Sequence, residues 1–259
     1  MTKGIDISHH QGDIDWSQAK NEIGFVMIRT GYGVSSPSQV DKKFIQHIEG
    51  AKRNGIPVGV YHYSYASSPL EASKEASFCL DIVKDYQLEY PVAYDIEDVT
   101  IAKLTKRQKT DMVISFCDKI ESAGYYAMFY CNPNWANNHL YADELFGRYD
   151  FWLAHYGVDS PSIACGMWQK TDTGKIAGIK GNVDIDIAYK DYQSIIKTKG
   201  LNRYSGVKPY NVYIVSKGDT LWDIAVKYYG DGTKWTEIYK YNNLASDKIS
   251  IGQILKIPN

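Results

Sequence analysis

Over roughly the first 190 residues, short apolar runs alternate with stretches of helical spacing. The runs fall at 4–8, 24–29, 57–64, 91–97, 125–131, 151–156, 167–170 and 183–189, each of strand length. Ser68-Pro69-Leu70-Glu71 supplies an N-cap, a proline at the first helical position and an acid two residues later, and predicts a helix reaching about Tyr86. Thr105-Lys106-Arg107-Gln108 opens a second such box with Gly124 as its stop, and a third helical segment, 41–54, ends at Asn54-Gly55. Strand–helix alternation implies a parallel sheet, and about eight strands in this length imply closure into a barrel. The last three strands follow one another too closely for full helices, so the barrel is expected to be irregular there.

The pattern then breaks. Residues 193–210 are read as a connection, because the stretch 197–210 is polar, basic and rich in Gly, Ser and Pro. Residues 211–259 carry a rhythm of their own. A strand (Val212–Val215) precedes an amphipathic helix (Trp222, Ile224, Ala225, Tyr228), a second helix (Trp235, Ile238, Tyr239) and a closing strand (Gln253–Pro258). The expected order is βααβ, and the class of the whole chain is α/β.

Composition narrows the function. A net charge of −1 offers no electrostatic footprint for nucleic acid, and no stretch is long and apolar enough to cross a bilayer. The 22 tyrosines and 6 tryptophans favour sugars, whose C–H faces stack on aromatic rings, although such residues also fill ordinary cores. Cys79, Cys117, Cys131 and Cys165 form no metal spacing and are read as buried free thiols. The first residues contain no apolar leader core, so the expectation is synthesis in the cytoplasm.

The chemistry concentrates at strand ends. In Tyr94-Asp95-Ile96-Glu97, the two acids are two positions apart and share a strand face, with Cα atoms roughly 6.5 Å apart. Paired carboxylates in a dry pocket titrate apart, as glycosidic cleavage requires. An isolated pair of this kind could equally be solvated. Asp6 follows the first apolar run, Asp184 and Asp186 share one face of the last, and Tyr61-His62-Tyr63 end another. His9 and His10 are read as loop residues, and His62 as either orienting a substrate or satisfying a core hydrogen bond.

Taken together, several segments make residues 4 to about 190 resemble family 25 glycoside hydrolases, the N-acetylmuramidase lysozymes. They are Asp6–Trp16, Gly59–Tyr63, Tyr94–Glu97, Phe151–Tyr156, Met167–Gln169 and Val183-Asp184. Residues 211–258 are similar to LysM modules through Tyr213-x-Val215, Gly218-Asp219-Thr220-Leu221, Ile224-Ala225 and Gly252-Gln253-x-Leu255-x-Ile257-Pro258. The resemblance implies an irregular (β/α)5(β)3 TIM-like barrel and a small second domain that binds N-acetylated glycans such as peptidoglycan. It implies Glu97 as general acid and Asp95 as its partner, either nucleophile or support for a substrate N-acetyl group. Asp6 and Asp184 complete the acidic floor, with Tyr61, His62, Tyr63, Trp152, Tyr156, Trp168, Gln169 and Asp186 as candidate sugar contacts. In the second domain, Gly218, Asp219, Thr220 and Leu221 with Ile249, Ser250 and Ile251 would flank a glycan groove, although Asp219 and Thr220 also read as a helix cap.

The resulting expectation is a peptidoglycan-cleaving lysozyme of the phage endolysin type, without cofactor or metal, reaching the wall through a holin-like partner. Two other classes stay open. One is a metal-dependent polysaccharide deacetylase using His62, Asp6, Asp95 and Asp184; the other is a non-catalytic wall-binding protein.

Overall fold

The computed structural model describes residues 1–34, 36–204, 210–242 and 244–258. The chain divides into two compact units, Met1–Ser205 and Gly206–Asn259.

In the first unit, eight strands close a barrel: β1 (Thr2–Ile7), β2 (Phe25–Tyr32), β3 (Val58–Tyr63), β4 (Val92–Asp95), β5 (Ala127–Cys131), β6 (Asp150–Ala154), β7 (Met167–Gly174) and β8 (Val183–Ala188). The first seven pair in parallel, whereas β8 runs antiparallel to both β7 and β1. Helices α1 (Trp16–Ala19), α2 (Phe44–Arg53), α3 (Pro69–Val83), α4 (Lys106–Ser122) and α5 (Ala142–Phe146) separate the first six strands. The caps form as the sequence predicts: Ser68 accepts from the Glu71 N–H, and Thr105 and Gln108 make a reciprocal box.

Strand alternation sorts the apolar residues into two cores. Phe25, Met27, Ala93, Met128 and Met167 point into the barrel. Their neighbours Val26, Ile28, Val92, Phe129 and Phe151 point outward and pack beneath the helices. The interior is tight at Gly4, where an added Cβ would lie 2.4 Å from the Phe25 ring.

The expected linker does not begin at 193. Helix α6 (Tyr192–Lys199) occupies that segment, and its Tyr192 and Ile196 join the barrel interior cluster. Asn202 follows, fully buried, with a φ of 52° that asparagine tolerates. Apolar positions at 192 and 196, four apart, explain why this stretch folds onto the barrel despite its lysines. The remainder of the expected linker, 205–209, lies outside the described residues.

The second unit pairs β9 (Tyr210–Ile214) antiparallel with β10 (Ile254–Pro258), with α7 (Leu221–Tyr229) and α8 (Trp235–Tyr241) between them. Val215, Leu221, Ile224, Ala225, Ile238, Leu255 and Ile257 form its core.

Candidate active site

Parallel strands deliver their last residues to one rim, and the acids are found there. Asp6 is the penultimate residue of β1, Asp95 ends β4, and Glu97 lies two residues beyond. Asp184 arrives differently: β8 is antiparallel, so its start meets the ends of the others, and Asp184 pairs in register with Asp6. All four line one pocket of about 280 Å³, together with Ser8, His10, Gln11, Arg29, Tyr61, Tyr63, Tyr130, Trp152, Tyr156 and Gln169.

Burial dominates the electrostatics. Asp95 is nearly inaccessible, its Oδ1 has no hydrogen bond, and desolvation followed by repulsion from Glu97 raises its pKa well above the usual range. Glu97 is also pushed up by desolvation, but less, because Asn132 donates its backbone N–H and side-chain amide to Oε2. Desolvation, then Asp186 and Asp184, raise Asp6, and desolvation followed by Asp172 pushes Asp184 up to about 6. Burial thus raises all four acids of the site, Glu97 and its neighbours alike, and the pocket-lining guanidinium, Arg29, counters this at Asp95 by less than burial adds. Its Nε and Nη2 reach Asp41 at 3.0 and 2.9 Å.

A hydrogen-bonded chain fixes the floor. Tyr156 and Tyr130 hydroxyls donate to Gln169 Oε1, at 2.5 and 2.8 Å, and Gln169 Nε2 donates to Asp6 at 2.5 Å. The Trp152 ring stands edge-on to Tyr61 and Tyr130, with centroids 5.9 and 4.7 Å away. Its indole N–H donates to Asp186 at 2.8 Å. Asp186 is thus a buried support beneath the site rather than a pocket-lining sugar contact.

Strand alternation decides between the two readings of His62 in favour of the core hydrogen bond, and it corrects Trp168 as a sugar contact. His62 points outward between Tyr61 and Tyr63, bonding Thr30 at 2.9 Å and the Gly33 carbonyl at 2.9 Å, with Phe78 and Phe116 against its ring. Burial lowers its pKa to about 4, so it is a neutral core residue. That separates it from Asp6, Asp95 and Asp184, the ligand set the deacetylase reading needs. Trp168 likewise faces away from the pocket, its indole N–H held by the His155 carbonyl at 2.8 Å.

Arg29, Tyr130 and Asn132 belong to the site although sequence reasoning passed over them. The signal existed for two of them: Arg29 ends the apolar run Phe25–Ile28, and Tyr130 alternates with the outward Phe129 and Cys131. A larger cavity of about 410 Å³, lined by Tyr126, Asp150 and Lys190, has no comparable chemistry. There the Asp150 carboxylate is already occupied by the Tyr126 and Tyr192 hydroxyls and the Lys190 ammonium.

The second unit carries a groove of about 650 Å³ lined by Asp219, Thr220, Leu221, Trp222, Trp235, Asp247, Lys248 and Ile249. Thr220 caps α7, and Asp219 accepts from Tyr213 and the Ser216 N–H, so both also serve the local fold. Gly218, Ser250 and Ile251 are not among the lining residues. Trp222, Trp235, Asp247 and Lys248 are, and sequence reasoning had not assigned them there.

Residues 5–179 match the model for glycosyl hydrolases family 25. The chain belongs to that family. Residues 213–258 match the LysM domain. An autolytic lysozyme of Clostridium acetobutylicum is 29% identical over 187 residues, 71% of this chain and 55% of that protein. The chain thus spans about half the length of that curated relative. Among solved structures, the modular autolysin LytC of Streptococcus pneumoniae, in complex with a synthetic peptidoglycan ligand, matches with a TM-score of 0.64 at 28% identity, over 73% of this chain and 46% of that one. The CTP1L endolysin matches with a TM-score of 0.65 at 26% identity, over 76% and 70%.

Proposed function

We propose that the chain is a 1,4-β-N-acetylmuramidase that cleaves the bond from N-acetylmuramic acid to N-acetylglucosamine in bacterial peptidoglycan. The observation that carries this reading is the meeting of Asp6, Asp95, Glu97 and Asp184 in one aromatic-walled pocket. Glu97 is the general acid: with Oε2 held by Asn132, Oε1 carries the proton to the glycosidic oxygen and the same carboxylate then activates water. Asp95 is its partner, as nucleophile or as the group that steadies an attacking substrate N-acetyl. Arg29 and a hydrogen bond from the Glu97 backbone favour its ionised form. Asp6 and Asp184 bind sugar hydroxyls, and Tyr61, Tyr63, Trp152 and Tyr156 wall the ring.

The LysM groove is proposed to hold N-acetylglucosamine units and keep the enzyme on its insoluble substrate. Likeness to a lytic endolysin and to autolysins supports action at the cell wall, with a holin-like partner as one route there and autolysin export as the other. Mass spectrometry of digested peptidoglycan is the test. New N-acetylmuramic acid reducing ends are expected; new free amino groups with no reducing sugar would overturn the assignment.

A further inference from the structure

The rim of the pocket continues outward along one strand. Tyr61, Tyr63 and Tyr65 recur at every second residue of β3 and its extension, grading from a pocket-wall ring beside Trp152 to a ring that is 48% exposed. The Tyr63 and Tyr65 centroids are 5.3 Å apart, and Tyr32, which pairs in register with Tyr63, meets Tyr65 edge-on at 5.7 Å. These rings are held from behind. The Tyr63 hydroxyl donates to Asp98 at 2.9 Å, and the Tyr65 N–H donates to Glu75 at 2.8 Å. Glu75 is a fully buried carboxylate whose other oxygen accepts from Ser64 and Tyr94, both at 2.9 Å. A buried acid is expensive to maintain, and this one anchors the backbone of an exposed aromatic residue.

We propose that Tyr65, braced by Tyr32 and continuous with the pocket through Tyr63, is an outer stacking position for a further sugar ring of the glycan strand being cut. The proposal rests on the glycan-hydrolase reading. A pocket of about 280 Å³ is at the small end of ligand sites, so a polymer entering it must leave over the rim. The flat, partly exposed tyrosine rings match the C–H face of a pyranose.

The test compares full-length wild type, Tyr65→Ala and Tyr65→Trp on peptide-free glycan strands and on the shortest fragment cut. For Tyr65→Ala the ratio of kcat/KM on long strands to that on the short fragment should fall about fivefold to tenfold, mostly through KM. Tyr65→Trp should hold the ratio near wild type. An unchanged ratio in Tyr65→Ala, or equal losses on both substrates, overturns the proposal. A readout independent of cleavage separates this from failure of the hydrolase reading. In tyrosine-labelled Glu97→Gln protein, the Tyr65 ring signals, assigned from a Tyr65→Phe spectrum, should shift with long strands; ring signals that stay fixed would sink the outer position even in an active enzyme.

Discussion

Asn132 donates twice to one oxygen of Glu97, from its backbone N–H at 2.9 Å and its side-chain amide at 2.7 Å. The backbone bond survives substitution and the amide bond does not. In Asn132→Ala the carboxylate loses one donor to its charged form, so the Glu97 pKa should rise further and its orientation loosen. The expected outcome is a kcat about tenfold lower, with KM within twofold and the alkaline limb of the pH–rate profile displaced upward. A lower kcat with an unmoved limb would assign Asn132 to packing alone.

The acid limb and the alkaline limb should both lie higher than ordinary carboxylates place them. Glu97 and Asp95 are each raised, first by burial. A raised acid keeps its proton to higher pH, so proton donation is retained below the shifted Glu97 value and lost as pH climbs through it. In the proposed mechanism Asp95 acts ionised, so activity should also fall on acidification. The bell belongs to the pair rather than to either residue. Glu97→Gln, which keeps the shape and removes the proton, should lower kcat by about 10²–10⁴. Rates measured from mildly acidic to alkaline pH check both statements; a flat profile in wild type would remove the pair from the chemistry.

The rim acids are legible in the sequence because strand alternation is a rigid rule: Asp95 and Glu97 sit two apart, and so do Asp184 and Asp186. What alternation alone does not reveal is depth. Asp184 and Asp186 share a face, yet the antiparallel course of β8 puts the first at the pocket and the second one layer down, opposite Gly4. Motif proximity also misleads. His62 and Trp168 lie inside matching segments but on the outward face, where His62 meets Phe78 and Phe116 of the helices and Trp168 donates to the His155 carbonyl. Asn132 was unreadable for another reason, since its role depends on β5 lying beside β4 in the barrel. The helix at 192–199 was masked by its lysines, which stay exposed while Tyr192 and Ile196 enter the core.

Asp186 provides a stability test. Its Oδ1 accepts from Trp152, while Oδ2 is buried without a hydrogen-bond partner, and Asp6 is among the groups that act on its carboxyl. Burial raises its pKa strongly, so its favourable contribution is complete below the unfolded-state value and is lost as pH rises through the folded one. Asp186→Asn keeps the acceptor for Trp152 and supplies an N–H towards Asp6. The variant should be more stable than wild type by about 1–2 kcal/mol at pH 8 and approach it only near pH 4, about the unfolded-state carboxyl value, read by urea unfolding. A loss of stability at pH 8 would mean that the charge itself is needed there.

Where the catalytic unit ends is decided by Asn202. Its side chain donates to the Leu88 and Tyr90 carbonyls at 3.0 and 2.8 Å and accepts from the Tyr126 N–H at 2.7 Å, and its own N–H reaches the Gly124 carbonyl at 2.9 Å. These bonds tie the segment after α6 to the entries of β4 and β5. Removing them leaves buried backbone groups unpaired, each worth about 1–3 kcal/mol. Truncation after Ser205 should therefore leave a barrel that unfolds cooperatively near the wild-type temperature, whereas truncation after Lys197 should lower Tm by roughly ten degrees or more. On soluble glycan fragments the 1–205 protein should match the full chain. On intact walls it should be slower, because the groove of the second unit no longer concentrates it there. Equal activity on walls would leave the second unit without a targeting role, and equal loss on both substrates would make it part of the catalytic fold.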